Sequence, residues 1–279
     1  MNFRPSRYPT DINAFSDFSV FIREAFSDIT HNQDKLIKKN SKILAQGSCF
    51  AGNVIDSLKK EGLAHCDHFD ISENLNNTFA NKAIIDIIIN EKTNEENKNW
   101  LETIIRGKTL DQCHKILHDA EIVILTFGVS FVLVDHQTHE IQSKPGKGSI
   151  LQQTNVSKNA DNIEYIISRI KKFNPNCTII VTVSPIPLST TATVRNVFID
   201  DFLSKSTIRL AVDEALNRIS EKIIYWPSFE IVRWSNIHFS PSFGAPHDVS
   251  SWNGEPRHPD PKIIAETMKF FLETFSDIK

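Results

Sequence analysis

The sequence predicts an α/β fold in which a doubly wound, mostly parallel sheet lies between two layers of helices. Short apolar runs rich in β-branched residues, which are typical of strands buried on both faces, occupy 42–45, 121–126 and 177–183, and 222–226 is a fourth candidate. Helical patterns separate these runs, and such alternation is typical of a parallel sheet with helices on both faces. The predicted helices cover 50–61, 79–90, 96–105, 159–173, 205–221 and about 262–276.

Two segments fall outside this alternation. Residues 14–29 place five apolar side chains at helical spacing, which predicts an amphipathic N-terminal helix packed on the core; an aromatic binding box is the alternative. Residues 131–142 alternate around a polar centre and predict a β-hairpin insertion. We expect residues 41–279 to form the main domain and residues 1–40 a helical extension packed on it.

Composition and charge exclude several functional classes. The 31 Lys and Arg against 34 Asp and Glu give a net charge of -3, which is not the electrostatic footprint of a nucleic-acid binder. Four widely spaced cysteines without a C-x-x-C pair predict neither a disulfide framework nor a thiolate zinc site. The first residues lack the apolar region of a signal peptide, and no apolar run approaches the ~18 residues of a spanning helix. We therefore expect a cytoplasmic protein with no nucleic-acid partner, membrane span, cofactor or metal, and the oligomeric state stays open.

Small and polar residues follow the first predicted strand, at the sheet edge where ligands bind in this fold class. Gly47 suits a sharp turn, and the next helix then begins near 48–50. The free N–H groups at a helix N-terminus lower the pKa of a thiol and can form part of an oxyanion hole. Cys49 and Ser48 are therefore candidate nucleophiles. In the simpler interpretation Ser48 is a helix cap and Cys49 a small buried residue.

Weaker signals follow two later strands. Gly128, after the strand at 121–126, permits close approach of a ligand or another backbone, and Ser130 can donate to a developing oxyanion. Ser184 follows the strand at 177–183 and opens a proline-rich loop. That loop lines a cleft in one interpretation and forms only a rigid turn in the other.

A histidine near the C-terminus is the candidate base. His258 lies in a loop flanked by prolines just before the last predicted helix, and Glu255 precedes it by three residues. One turn of chain can fold this spacing into a carboxylate–imidazole hydrogen bond, which holds the tautomer of a base in a nucleophile–base–orienter triad.

The chain resembles the GSCFA family, which takes its name from the pentapeptide at 47–51. Asn77 begins a segment similar to the Asn-x-aromatic segment of that family. Further matching blocks lie in order at 126–128, 183–188, 204–206 and 225–232, and the resemblance covers roughly 41–275.

The GSCFA family in turn resembles the SGNH (GDSL-type) hydrolase superfamily, which implies a three-layer α/β/α sandwich. An ungapped alignment of 42–49 with the first strand and Gly-Asp-Ser motif of the superfamily places Cys49 at the nucleophile position. Ser48 takes that position only if the turn is one residue shorter. Glu255 and His258 fall on the D-x-x-H motif, with Glu in place of Asp.

The same resemblance assigns the remaining site residues and the activity. It implies Asn77 as an oxyanion donor from the second block, and Gly128 with Ser130 on the third block, where Ser130 replaces an Asn. It implies an esterase or O-acyltransferase acting on a small-molecule or carbohydrate ester, such as an acylated sugar or polysaccharide precursor. The alternative is a catalytically inactive module that binds carbohydrate or another partner, and a cysteine protease is a weaker third hypothesis.

Overall fold

A computed structural model describes residues 8–30, 33–90, 93–138, 141–142, 148–191, 193–239, 243 and 256–277. Its central sheet has five parallel strands, which confirms the predicted mixed α/β class. In chain order these strands are β1 Ile43–Gly47, β2 Cys66–Asp70, β3 Ile122–Phe127, β7 Thr178–Val183 and β8 Ile224–Tyr225. A separate antiparallel sheet is formed by β4 Phe131–Asp135, β5 Ile141–Gln142 and β6 Ser149–Gln153. The predicted hairpin is confirmed as β4 and β5, and β6 extends it.

Helices cover both faces of the central sheet. They are α1 Phe18–Ala25, α2 Ser27–Thr30, α3 Cys49–Lys60, α4 Thr78–Ile89, α5 Glu95–Ile104, α6 Leu110–Asp119, α7 Val156–Phe173, α8 Val197–Arg218, α9 Ser228–His238 and α10 Pro261–Phe275. Successive side chains of a strand point to opposite faces. Leu44 of β1 accordingly packs in one core with α4 to α8, whereas Ile43 packs in a second core with α1, α3, α9 and α10. The three-layer α/β/α arrangement is confirmed.

The strand order places a crevice at the first strand. The order is β2-β1-β3-β7-β8, so the chain leaves β1 toward β2 on one side and returns to β3 on the other. In sheets of this order ligands bind at the carboxyl ends of the two strands where the direction reverses. The residues after β1 and β3 therefore lie at the position expected for a site.

The N-terminal helix predicted over 14–29 is present but divided. Asp17 caps α1 by accepting a hydrogen bond from the Val20 N–H at 2.8 Å, so the helix begins at Phe18. Phe21 and Ile22 are buried in the second core, as the predicted apolar stripe requires. The proposed domain boundary at residue 40 stays a prediction. Within the described residues, none of the helices combines the length and the apolarity that crossing a membrane demands.

Candidate active site

The turn after β1 requires glycine. Gly47 has φ +149°, and a Cβ at this position would lie 2.8 Å from the Cβ of Thr126 on the neighbouring strand. The Gly47 carbonyl accepts hydrogen bonds from the Ile71 N–H at 3.0 Å and from the Nε2–H of His68 at 2.9 Å. Hydrogen bonds from β2 and the residue after it therefore hold the turn that leads into α3, and Thr126 of β3 leaves no room there for a side chain.

Ser48 lies beneath this turn. It is the N-cap residue of α3 with extended backbone, but its side chain makes no capping hydrogen bond. Only 5% of the residue is exposed, and its Oγ accepts a long hydrogen bond from Asn76 Nδ2 at 3.5 Å. The hydroxyl therefore points into the protein, toward the segment that follows β2.

Cys49 is the first residue of α3 and is exposed, unlike the other three cysteines, which are buried. Partial burial of its sulfur raises the pKa of the thiol above its ordinary value, and the carboxylates of Asp70 and Glu73 raise it further. The Cys49 N–H and the guanidinium of Arg257 act in the opposite direction. The net shift is upward, so the thiol stays protonated near neutral pH and needs a base to become a nucleophile.

A groove of about 400 Å³ connects the candidate nucleophile with the candidate base, since Cys49 and His258 both line it. It runs between α3 and α10. The α3 side is polar, the α10 side largely apolar, and the lining includes Asn53, Asp56, Ser57, Ile264, Met268 and Leu272. His258 itself is half-buried.

An ion pair anchors the loop that carries His258. Arg257 Nη1 lies 2.9 Å from Glu73 Oε2 and also donates to the Pro187 carbonyl at 2.8 Å. Glu73 follows β2 and Pro187 follows β7, so this loop is held at the carboxyl edge of the sheet. Glu255 lies outside the described residues, and its predicted role stays a prediction.

The amide that faces the turn belongs to Asn76. The resemblance points instead to Asn77, whose Oδ1 caps α4 by accepting from the N–H groups of Phe79 at 3.1 Å and Ala80 at 2.9 Å. Asn76 is fully buried, and its Oδ1 accepts from Asn81 Nδ2 at 3.2 Å. The Asn77 side chain is therefore engaged as a cap, while Asn76 supports Ser48 from below.

Gly128 directly follows β3 and contacts Asn76. The N–H groups of Gly128 and Val129 donate to the Asn76 carbonyl at 2.9 and 3.1 Å. A Cβ at position 128 would lie 2.9 Å from Asn76 Nδ2, so a larger residue here would displace the Asn76 amide. The Gly128 N–H is thus already bonded to protein in this structure.

Two of the predicted polar contacts are interior. Ser130 is fully buried, its N–H donates to Ser204 Oγ at 2.9 Å, and its own Oγ has no hydrogen-bond partner among the described residues. Ser184 is also buried, and its Oγ accepts from the Ile186 N–H at 3.4 Å. The side chains of Ser130 and Ser184 would have to leave these buried positions to contact a substrate.

This protein is an α/β protein: a five-stranded parallel sheet lies between two layers of helices, and a cysteine stands at its first strand-to-helix turn. The chain belongs to the GSCFA family, whose model matches residues 42–271. Curated proteins provide no sequence match.

Several solved structures are similar to this chain at low identity. One, from Parabacteroides merdae, is described as a GDSL-like lipase, with 14% identity, a TM-score of 0.46, and coverage of 87% of this chain and 99% of the other. A second is a carbohydrate esterase family 2 enzyme with a carbohydrate binding domain, from Corynascus thermopiles (Myceliophthora fergusii). It has 12% identity and a TM-score of 0.43, and the match covers 87% of this chain and 67% of the other. A third is an acetyl xylan esterase from Butyrivibrio proteoclasticus, with 13% identity and a TM-score of 0.42. The match covers 85% of this chain and 64% of the other.

Proposed function

We propose that this protein transfers an acyl group from an ester to water or to an acceptor hydroxyl, with Cys49 as the nucleophile and His258 as the base. The observation that carries the proposal is the shared groove, because the exposed thiol at the start of α3 and the imidazole before α10 both line it. A nucleophile that is protonated at rest needs such a neighbouring base.

Burial supports Cys49 over Ser48. The Ser48 hydroxyl lies beneath the turn against Asn76, whereas Cys49 is exposed and lines the groove. An ester carbonyl entering the groove therefore meets the thiol before the hydroxyl. The same arrangement agrees with the ungapped alignment of the first strand, in which Cys49 takes the nucleophile position.

In the proposed reaction His258 accepts the thiol proton as Cys49 Sγ attacks the ester carbonyl. The bond to the alcohol oxygen breaks, the alcohol leaves with that proton, and a thioester forms on Cys49. Water or an acceptor hydroxyl, deprotonated by the imidazole, then attacks the thioester and restores the thiol. Glu255 is proposed to orient the imidazole, as the D-x-x-H resemblance implies.

Backbone N–H groups are the proposed oxyanion donors. The first N–H groups of a helix have no acceptor within the helix, and they carry the positive end of the helix dipole. Those of Cys49 and Phe50 open α3 at the groove. Asn77, Gly128, Ser130 and Ser184 stay predictions as substrate contacts, since protein hydrogen bonds or burial occupy them in this structure.

The substrate class rests on the family resemblance and on the groove walls. A polar wall on α3 faces an apolar wall on α10, which suits an ester that combines hydroxyl groups with an acyl group. An acylated sugar or polysaccharide precursor has this character.

A catalytically inactive binding module is the second candidate. The raised pKa of the Cys49 thiol and the burial of Ser130 favour it, because neither supports a preformed acyl-transfer site. Such a module would bind an acetylated oligosaccharide in calorimetry without releasing acetate.

Turnover of p-nitrophenyl acetate tests the proposal. We expect activity in the wild type and in Ser48→Ala, and a loss of about 10²-fold or more in Cys49→Ala and His258→Ala, because nucleophile and base act as a unit. His118→Ala, at an exposed histidine of α6, is the matched control and should retain activity. Absence of wild-type turnover would refute the enzymatic proposal for simple acetyl esters. Loss in Ser48→Ala with retention in Cys49→Ala would transfer the nucleophile role to Ser48.

A further inference from the structure

Lys205 is a buried lysine in the middle of α8. Only 2% of the residue is exposed, and its Nζ donates a hydrogen bond to the Gly128 carbonyl at 2.8 Å. Burying an ammonium group is costly, and exchanging a buried charge for a well-packed apolar side chain is often neutral or stabilising. A lysine at this position therefore calls for an explanation other than core packing.

The residue before Lys205 holds the same loop. Ser204 Oγ accepts a hydrogen bond from the Ser130 N–H at 2.9 Å. Two consecutive residues of α8 thus bind two peptide groups of the short segment that follows β3. A charge-assisted hydrogen bond is roughly twice as strong as a neutral one, so the ammonium is the stronger of the two anchors.

A continuous series of hydrogen bonds leads from this anchor to the candidate nucleophile. Lys205 binds the Gly128 carbonyl, the Gly128 N–H donates to the Asn76 carbonyl at 2.9 Å, and Asn76 Nδ2 donates to Ser48 Oγ at 3.5 Å. Ser48 directly precedes Cys49 at the start of α3. All the intermediate groups are in the protein interior, where hydrogen bonds are stronger than in water.

We propose that Lys205 is a positioning residue for the acyl-transfer reaction, because its ammonium fixes Gly128 and thereby holds Asn76 beneath the Ser48–Cys49 turn. This inference rests on the proposed function. Among the described residues, those that line the groove do not include Lys205. Its effect reaches the reacting atoms through the turn, and a displacement of about 1 Å at a reacting group lowers a rate by roughly 100-fold.

The test compares Lys205→Met with Lys158→Met, a substitution of an exposed lysine on α7. For p-nitrophenyl acetate we expect kcat to fall 10-fold to roughly 100-fold in Lys205→Met with KM nearly unchanged, and Lys158→Met to match the wild type. A second readout is the pH midpoint of Cys49 alkylation by iodoacetamide, which Lys205→Met should shift and Lys158→Met should not. Alkylation needs no catalysis, so it tests positioning even if the enzymatic proposal fails.

Folded Lys205→Met with wild-type kcat and a wild-type alkylation midpoint would overturn the inference. If Lys205→Met does not fold, Lys205→Gln takes its place, because it removes the ammonium charge at the Gly128 carbonyl but keeps a polar side chain with an N–H donor. We then expect a smaller fall in kcat at constant KM, together with a shifted alkylation midpoint. Wild-type values of both in Lys205→Gln would equally overturn the inference.

Discussion

Arg257 and Glu73 form a partly buried ion pair, with 2.9 Å between Nη1 and Oε2. The two residues are far apart in sequence, and the pair joins the loop that carries His258 to the segment after β2. Because this contact lies one residue from the candidate base, its loss should move the imidazole relative to Cys49.

The first prediction concerns this pair. Glu73→Gln removes the carboxylate charge but keeps a hydrogen-bond acceptor, so we expect a loss of about 1–3 kcal/mol in the free energy of unfolding and a lower kcat. Urea unfolding and p-nitrophenyl acetate turnover measure the two effects. Glu95→Gln is the control, since its 3.9 Å contact with Lys98 is on the surface. Equal behaviour of the two variants would show that the ion pair does not position the loop.

The second prediction concerns the glycine that ends β1. Gly47→Ala introduces a Cβ at 2.8 Å from Thr126 Cβ, in a backbone conformation with φ +149°. Backbone strain and the steric overlap with Thr126 therefore both destabilise this variant. Gly62→Ala is a matched control, because Gly62 has φ +87° and open space around it. We expect Gly62→Ala to cost about 1–2 kcal/mol of stability and Gly47→Ala clearly more. Similar unfolding midpoints for the two variants would contradict the steric account of the turn.

The third prediction concerns the reactivity of Cys49. In the native protein iodoacetamide should label Cys49 alone, because the other three cysteines are buried. The labelling rate should rise with pH through a midpoint above that of an ordinary cysteine thiol, since partial burial of the sulfur, Asp70 and Glu73 raise the pKa of the thiol. Asp70→Asn should lower that midpoint, while Asp111→Asn, on the exposed side of α6, should leave it unchanged. A wild-type midpoint below neutral would mean that a preformed thiolate exists.

The fourth prediction concerns the pH dependence of stability. Burial lowers the pKa of Lys205 from 10.5 to about 8, with Arg233 and Arg257 acting in the same direction and Asp201 and Glu73 against it. Between these two values the unfolded chain binds more protons than the folded chain, so stability rises as pH rises through this window. The difference between about 8 and 10.5 corresponds to about 3 kcal/mol at most.

This contribution is measurable as a difference between variants. The free energy of unfolding of the wild type minus that of Lys205→Met should increase between pH 8 and pH 10.5, while the same difference for Lys158→Met should stay flat. Because all other titrating groups are common to the proteins, their contributions cancel. A flat difference for Lys205→Met would show that its ammonium is not destabilised by burial.

The interior strands were predictable because burial on both faces leaves a readable apolar run. β1, β3 and β7 are of this kind. β2 escaped prediction because it is an edge strand with polar residues such as Asp67 and His68. α6 was also missed, although Thr109 and Gln112 form a capping box that the sequence displays.

The start of α8 shows how tertiary context hides a helix. The prediction begins this helix at 205, yet it starts at Val197. In its first turns Phe198 and Phe202 are exposed while Asp200 and Asp201 are buried, the reverse of the usual pattern. Asp200 accepts from Thr193 Oγ1 and Arg195 Nε at 2.6 Å each, and these contacts stabilise its burial.

The candidate site likewise contains some residues that a local sequence pattern indicates and others that only the structure reveals. The sequence indicates Gly47, Cys49 and His258, because a strand-to-helix turn and a histidine in a proline-flanked loop are local patterns. Asn76, Lys205 and the Arg257–Glu73 pair are defined by contacts between distant segments, which no local pattern reveals. The capping position of Asn77 before α4 was the available signal that its neighbour Asn76 is the one left to face the turn.

The most direct measurement of the central claim is the site of acylation. The protein is mixed with p-nitrophenyl acetate, quenched in acid, and analysed by intact mass and peptide mapping. The account predicts one added acetyl group on Cys49, no label on Ser48, and loss of labelling in both Cys49→Ala and His258→Ala. An acetyl group on any other residue, or undiminished labelling of Cys49 in His258→Ala, would contradict it.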